Sequence, residues 1–214
     1  MAGGCGSGGG SEPTASDFSV SADTAAATTL GQQVTFHVHL TSTGLSTSVT
    51  LSVTGAPASW TVTPPASPVA LTANGQATAD VLVLVPSNAA PAVAGQTLTV
   101  HADAPSHAHT ANTLVTVANH FIIPIQRGAL SGTHWGSLGN TTIHLNSGTL
   151  LTFRNDDTTS HNIHTGSALP GVQHQNTSTT TAPGGTYDQT PTGTGSTKVT
   201  CHSHLSDSLT VAVP

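Results

Sequence analysis

Short runs of alternating apolar and polar residues, cut by turn-forming pairs, constrain this chain more than any other feature. Val34–Leu40 and Val49–Val53 alternate with period two. Further strand-like runs are Ala79–Val85, Thr97–His101 and Asn112–Val117. The breaks between runs hold Thr43-Gly44, Gly55-Ala56-Pro57, Pro64-Pro65, Asn74-Gly75 and Gly95, residues that turn a chain rather than extend it. A period of two marks a half-buried strand, and no stretch carries the 3.6-residue period of an amphipathic helix. Strands at this spacing predict β-sandwiches. The Thr, Ser, Ala, Val and Gly that dominate the composition agree with strands and turns.

The 214 residues suffice for one large or two ordinary domains. The expected fold class is all-β, two sandwiches in tandem. Residues 1–16 read as a flexible Gly/Ser linker, 17–118 as the first sandwich and 119–214 as the second. In the second, expected strands are Phe121–Ile125, Thr141–Leu145, Thr149–Arg154, Thr186-Tyr187, Lys198–Cys201 and Leu209–Val213.

Charge excludes some functions. Arg127, Arg154 and Lys198 are the only basic residues besides histidine, and charged residues make up 6% of the chain. Nucleic-acid binding needs many cations to neutralise phosphates, so it is not expected. No apolar run is long enough for a membrane-spanning helix. Thirteen histidines stand against three Lys and Arg. Histidine is the commonest metal ligand, so this imbalance favours metal binding.

The chemistry concentrates near the end of the chain. Cys201-His202-Ser203-His204 follows Ser160-His161-Asn162-Ile163-His164 by forty residues. The only other cysteine, Cys5, lies in the glycine-rich opening, which leaves Cys201 without a credible disulfide partner. A thiolate and two imidazoles drawn from separate strand ends make a soft nitrogen–sulfur pocket, which suits copper. No general acid/base pair or nucleophile triad is visible. Asp156 and Asp157 read as turn formers, so an electron carrier is expected rather than an enzyme.

Three motifs resemble the cupredoxin family. Gly148–Asp157 is similar to its strand and turn before the first ligand, and Ser160-His161-Asn162 to the corner presenting that ligand. Val199-Thr200-Cys201-x-x-His204, followed by Leu209–Val213, is similar to its closing hairpin. The resemblance implies a Greek-key copper domain with one copper per chain and His161, Cys201 and His204 as equatorial ligands. It implies one-electron transfer with a redox partner protein, and a role for Asn162 in tying loops together. The family's axial methionine is missing, since Met1 is the only methionine. Leu205 or Asp207 stands in that stretch, and His164, His174, Asp207 and His202 are additional candidate ligands. His202 should point away from Cys201 if the strand continues.

Residues 17–118 resemble the immunoglobulin-like accessory domains of bacterial extracellular proteins, notably over the stretch ending at Trp60. The surroundings of Cys5 resemble the lipid-carrying junction of bacterial lipoproteins. Together these imply a periplasmic or cell-surface location and a membrane tether through lipidated Cys5. Alternative readings are a copper storage, delivery or sensing module, favoured by the histidine surplus, and a small redox enzyme with an open copper position. His37 and His39 share a strand face and, like His101, His107 and His109, read mainly as polar surface residues. His120, His134 and His144 show no usable pairing.

Overall fold

The computed structural model describes residues 15–126, 134–166, 168–176, 178–202 and 204–214, with the side chains of His204 and Ser206 left out. Cys5, Arg127 and all but the last two residues of the expected linker lie outside the described residues.

The described chain is all-β, with no α-helix. Its first half holds β1 (Asp17–Ala22), β2 (Ala26–Thr29), β3 (Gln33–Thr43), β4 (Thr47–Thr54), β5 (Thr61–Thr63), β6 (Val69–Leu71), β7 (Gln76–Leu84), β8 (Ala92–Ala104) and β9 (His107–Ala118). The second half holds β10 (His120–Ile125), a 3-10 turn at Gly136–Leu138, β11 (Thr142–His144), β12 (Leu150–Asn155), β13 (Ile163–Thr165), β14 (Thr186–Gln189), β15 (Gly195–Cys201) and β16 (His204–Val213).

Four sheets result, in the orders β1-β3-β7-β5, β2-β9-β8-β4-β6, β10-β12-β14 and β11-β16-β15-β13. None of them mixes strands from the two halves. Most pairings are antiparallel; β2 with β9, β10 with β12 and β11 with β16 are parallel.

The period-two pattern sorts the core. On β3, Phe36, Val38 and Leu40 are fully buried while His37 and His39 between them face solvent. Val81 and Val83 of β7, Val100 of β8 and Val115 and Val117 of β9 bury in the same way. The β8–β9 ribbon is longer than the sequence pattern suggests. Pro105 and Ser106 make its tight connection, so His107 and His109 are strand residues rather than loop residues. In the second half Trp135 packs edge-on against Phe153, which stacks on Tyr187.

The halves touch through specific contacts. The Leu30 amide donates to the His120 carbonyl at 2.9 Å, and Ser87 Oγ donates to the His144 carbonyl at 2.7 Å. Asn146 Nδ2 reaches the carbonyls of Asn88 and Ala89. Gly31, at φ +73°, lies directly under the Phe121 ring, where a Cβ would collide with ring carbons. Left-handed backbone costs an L-residue roughly 1–2 kcal/mol. Gly148 adopts φ +83° with open space around it. Gly148→Ala should therefore destabilise by about 1 kcal/mol from strain alone. Gly31→Ala should cost an additional ~1–3 kcal/mol from overpacking against Phe121. Denaturant melts of the two variants check this ordering, and equal losses would remove the ring contact as a cause.

Candidate metal centre

Two elements far apart in sequence meet at one sulfur. β15 ends at Cys201, which is 1% exposed and carries a free thiol. β12 ends at Asn155, and the turn after it leads to His161, whose backbone exchanges two hydrogen bonds with Thr181. These anchors place His161 Nδ1 3.3 Å from Cys201 Sγ. The other ring nitrogen, Nε2, lies 2.8 Å from Asp157 Oδ2. A carboxylate can only accept, so Nε2 carries the proton and Nδ1 presents its lone pair to the thiol. That is the tautomer a metal-bound imidazole with a carboxylate behind it adopts.

The turn is built to hold this pair. Asn155 Nδ2 donates to the carbonyls of Thr159 and Thr181, and its Oδ1 accepts from the Asp157 amide. Asp157 accepts in turn from the Thr158 amide and from Thr159 Oγ1. Asp157 is thus a turn former, as read from sequence, and also the residue that orients His161. Asp156 takes a different part, in a two-pronged pair with Arg154. Asn162 ties segments together by two routes. Its side-chain amide donates to the carbonyls of Asn176 and Thr179, and its own carbonyl accepts from the His202 amide.

The hairpin tip brings His204 back to Cys201. β15 and β16 pair antiparallel, with Cys201 opposite His204 and Thr200 opposite Ser208. Residues 205–207 consequently bulge out of the ladder, as extra residues on one strand do. The His204 side chain lies outside the described residues. Within the bulge Leu205 is exposed, whereas Asp207 is buried and turns toward residues 134–135. Asp207 Oδ2 accepts from the His134 amide and lies 3.4 Å from His134 Nδ1, while its carbonyl accepts from Trp135 Nε1. His134 is fully buried, and its ring meets that of His161 edge-on at 5.5 Å between centroids. Sequence reasoning missed both Asp157 as an orienting group and His134 as a neighbour of the site.

A nitrogen and a sulfur 3.3 Å apart can both reach one ion at metal–ligand distances of about 2.0–2.3 Å. The donor set is soft, buried and backed by a carboxylate, so the residues present fit copper.

The other candidate imidazoles gather elsewhere. His164, His174 and His202 bring their rings together, with centroids 4.4 Å apart for His164–His174 and 5.7 Å for His164–His202. Across β13 and β15, Ile163 pairs with Cys201 and His164 with Thr200. Paired residues share a face and successive residues alternate, so His164 lies on the face opposite the thiol. His202 is exposed. Burial, together with the His174 and His202 rings, pushes His164 below its ordinary value of 6.5.

In the first half, His37 and His39 contact Asp23, and His107 and His109 contact Asp17. The hydrogen bond from His109 holds the Asp17 carboxyl below its usual range, and those from the His37 amide and ring do the same for Asp23. His101 bonds Thr54, and His120 bonds Thr152.

No family model and no curated protein matches the chain. Solved structures similar to it include an oxidised amicyanin variant, 18% identical, covering 44% of this chain and 81% of that one at a TM-score of 0.35. A purple cupredoxin from Nitrosopumilus maritimus is 25% identical, covering 44% of this chain and 98% of that one at 0.35. A reduced Cu(I) amicyanin variant at pH 4 is 17% identical, covering 45% and 84% at 0.33.

Because the folded chain holds His164 neutral more strongly than the unfolded chain does, its contribution to stability is present above the unfolded pKa. It is lost as pH falls. In the metal-free protein His164 should titrate below 6.5 by NMR. Replacing His174 by Gln should move that midpoint upward, and no movement would remove the neighbouring ring as a cause.

Proposed function

We propose that this chain is an extracytoplasmic copper protein that transfers single electrons through one ion held by His161, Cys201 and His204. The observation that carries the reading is the approach of His161 Nδ1 to the buried Cys201 Sγ, with Asp157 fixing the far side of the ring. Copper bound there would supply a one-electron couple between Cu(I) and Cu(II). The chain's part is to keep the donors in place through both states. Two backbone bonds to Thr181 lock His161, the sheet fixes Cys201, and the hairpin register sets His204 opposite it. Burial of the thiol excludes water and competing oxidants from the sulfur.

In this reading residues 17–118 are an immunoglobulin-like spacer, Cys5 carries a lipid tether, and a redox protein docks near the hairpin tip. Met1 is the only methionine, so no thioether of the hairpin would join these donors. Asp207, whose Oδ2 accepts from the His134 amide, would reach an ion only through its other oxygen, and an oxygen donor or an open position would favour Cu(II) and a lower potential.

Copper-loaded wild type should show intense visible absorption and a reversible one-electron wave. Cys201→Ser should abolish the intense band. Asp157→Asn should keep the colour but weaken copper binding by about 10–100-fold. Undiminished colour in the Cys201 variant would overturn the thiolate assignment. Rapid surrender of Cu(I) to a chelator, without a reversible wave, would indicate copper delivery instead.

A further inference from the structure

The three clustered imidazoles form a separate arrangement with its own supports. The segment holding Gln175 runs along the free edge of β13. Gln175 pins it there, its amide donating to the Ile163 carbonyl and its Oε1 accepting from the Ile163 amide. Gly171, at φ +78°, lets this segment turn against the Thr190 carbonyl, where any Cβ would collide. Tyr187 Oη and Gln189 Oε1 bond the backbone of Gln173. His174 is thereby held beside His164. His202 arrives from the opposite side, its amide bonded to the Asn162 carbonyl.

Each of the three residues offers one ring nitrogen, and these atoms all lie within 4.8 Å of one another. His174 Nδ1 donates to the Gln175 carbonyl, which leaves Nε2 with the lone pair. His164 Nδ1 is buried with no hydrogen-bond partner among the described residues. An unsatisfied buried ring nitrogen is costly, and an ion bound at that atom would remove the cost.

We propose that His164, His174 and His202 form a second metal site, on the face of the sheet opposite Cys201, for a borderline divalent transition ion such as Zn(II), Cu(II) or Ni(II). Neutral imidazoles select such ions over Mg(II) or Ca(II), which demand oxygen ligands. Three protein nitrogens leave a coordination position for water or an exogenous ligand. Metal–nitrogen distances of about 2.0–2.1 Å require the rings to close slightly, and His174 and His202 stand at exposed positions where such a shift displaces no core residue. The sheet's pleat keeps this ion away from the sulfur, so the site does not depend on the copper reading above.

The test uses the full-length chain carrying Cys201→Ser, titrated with Zn(II) and followed by imidazole NMR and calorimetry. Resonances of His164, His174 and His202 should move together with the first equivalent. Adding His174→Ala, at an exposed position that leaves the core intact, should weaken that step by about a hundredfold or more. Cu(II) in the same Cys201→Ser background should give an EPR spectrum of nitrogen ligation without thiolate absorption. The proposal fails if Zn(II) leaves these three rings unmoved, if His174→Ala binds like its parent, or if losing Cys201 abolishes binding at the trio. Failure of thiolate colour alone would overturn the copper reading and leave this one standing.

Discussion

The contact on which the rest of the second half depends is a buried carboxylate holding an imidazole against a thiol. Asp157, His161 and Cys201 are all buried, so little water screens the interaction. Without Asp157 the ring could carry its proton on either nitrogen and rotate. With it, one lone pair points at the sulfur. The Asn155 side chain, the threonines of the turn and the Thr181 bridge all serve to keep that carboxylate in position. The site is therefore assembled by polar bonds laid over a hydrophobic sandwich, rather than by the sandwich alone.

Nine of the thirteen histidines fall into three distinct environments. His37, His39, His107 and His109 are strand-face residues paired with aspartates, standing where other proteins place lysine. His134 and His161 are interior groups against Asp207 and Asp157. His164, His174 and His202 gather without a carboxylate in their cluster among the described residues, and His174 donates to a backbone carbonyl. Composition alone makes all thirteen look alike; it is the alternation of each strand and the placement of nine acidic residues that separate them.

Much of this was readable from the chain. Period two located β3 and β4, whose alternate residues bury, and apolar runs located β7, β10 and β12 to within a few residues. Of β16 only the second half, Leu209–Val213, was seen; the strand begins at His204. β1, β2, β5, β6 and β13 were not seen, being short or held by neighbours rather than by their own pattern. The motif around His161 and Cys201 named two residues that do meet. Asp157 sat in plain view four positions before His161, yet its local role in the turn masked its bond to the ring. His134 offered no signal at all: it meets His161 in a place where the buried Asp207 of the bulge accepts from its amide. The trio of imidazoles was visible as three candidates, but their common meeting point depends on Gln175, whose bond to Ile163 no spacing rule reveals.

The pleat of β13 and β15 has a consequence for how such a chain can change. Sulfur and imidazole occupy neighbouring positions, 201 and 202, yet look toward opposite sides of one sheet. Inserting a single residue ahead of Cys201 would send the thiol to the opposite face, toward the imidazoles of His164 and His174, and would move the His202 ring away from them. The count of residues between Val199 and the hairpin tip thus governs which donors assemble as firmly as their chemical identity does.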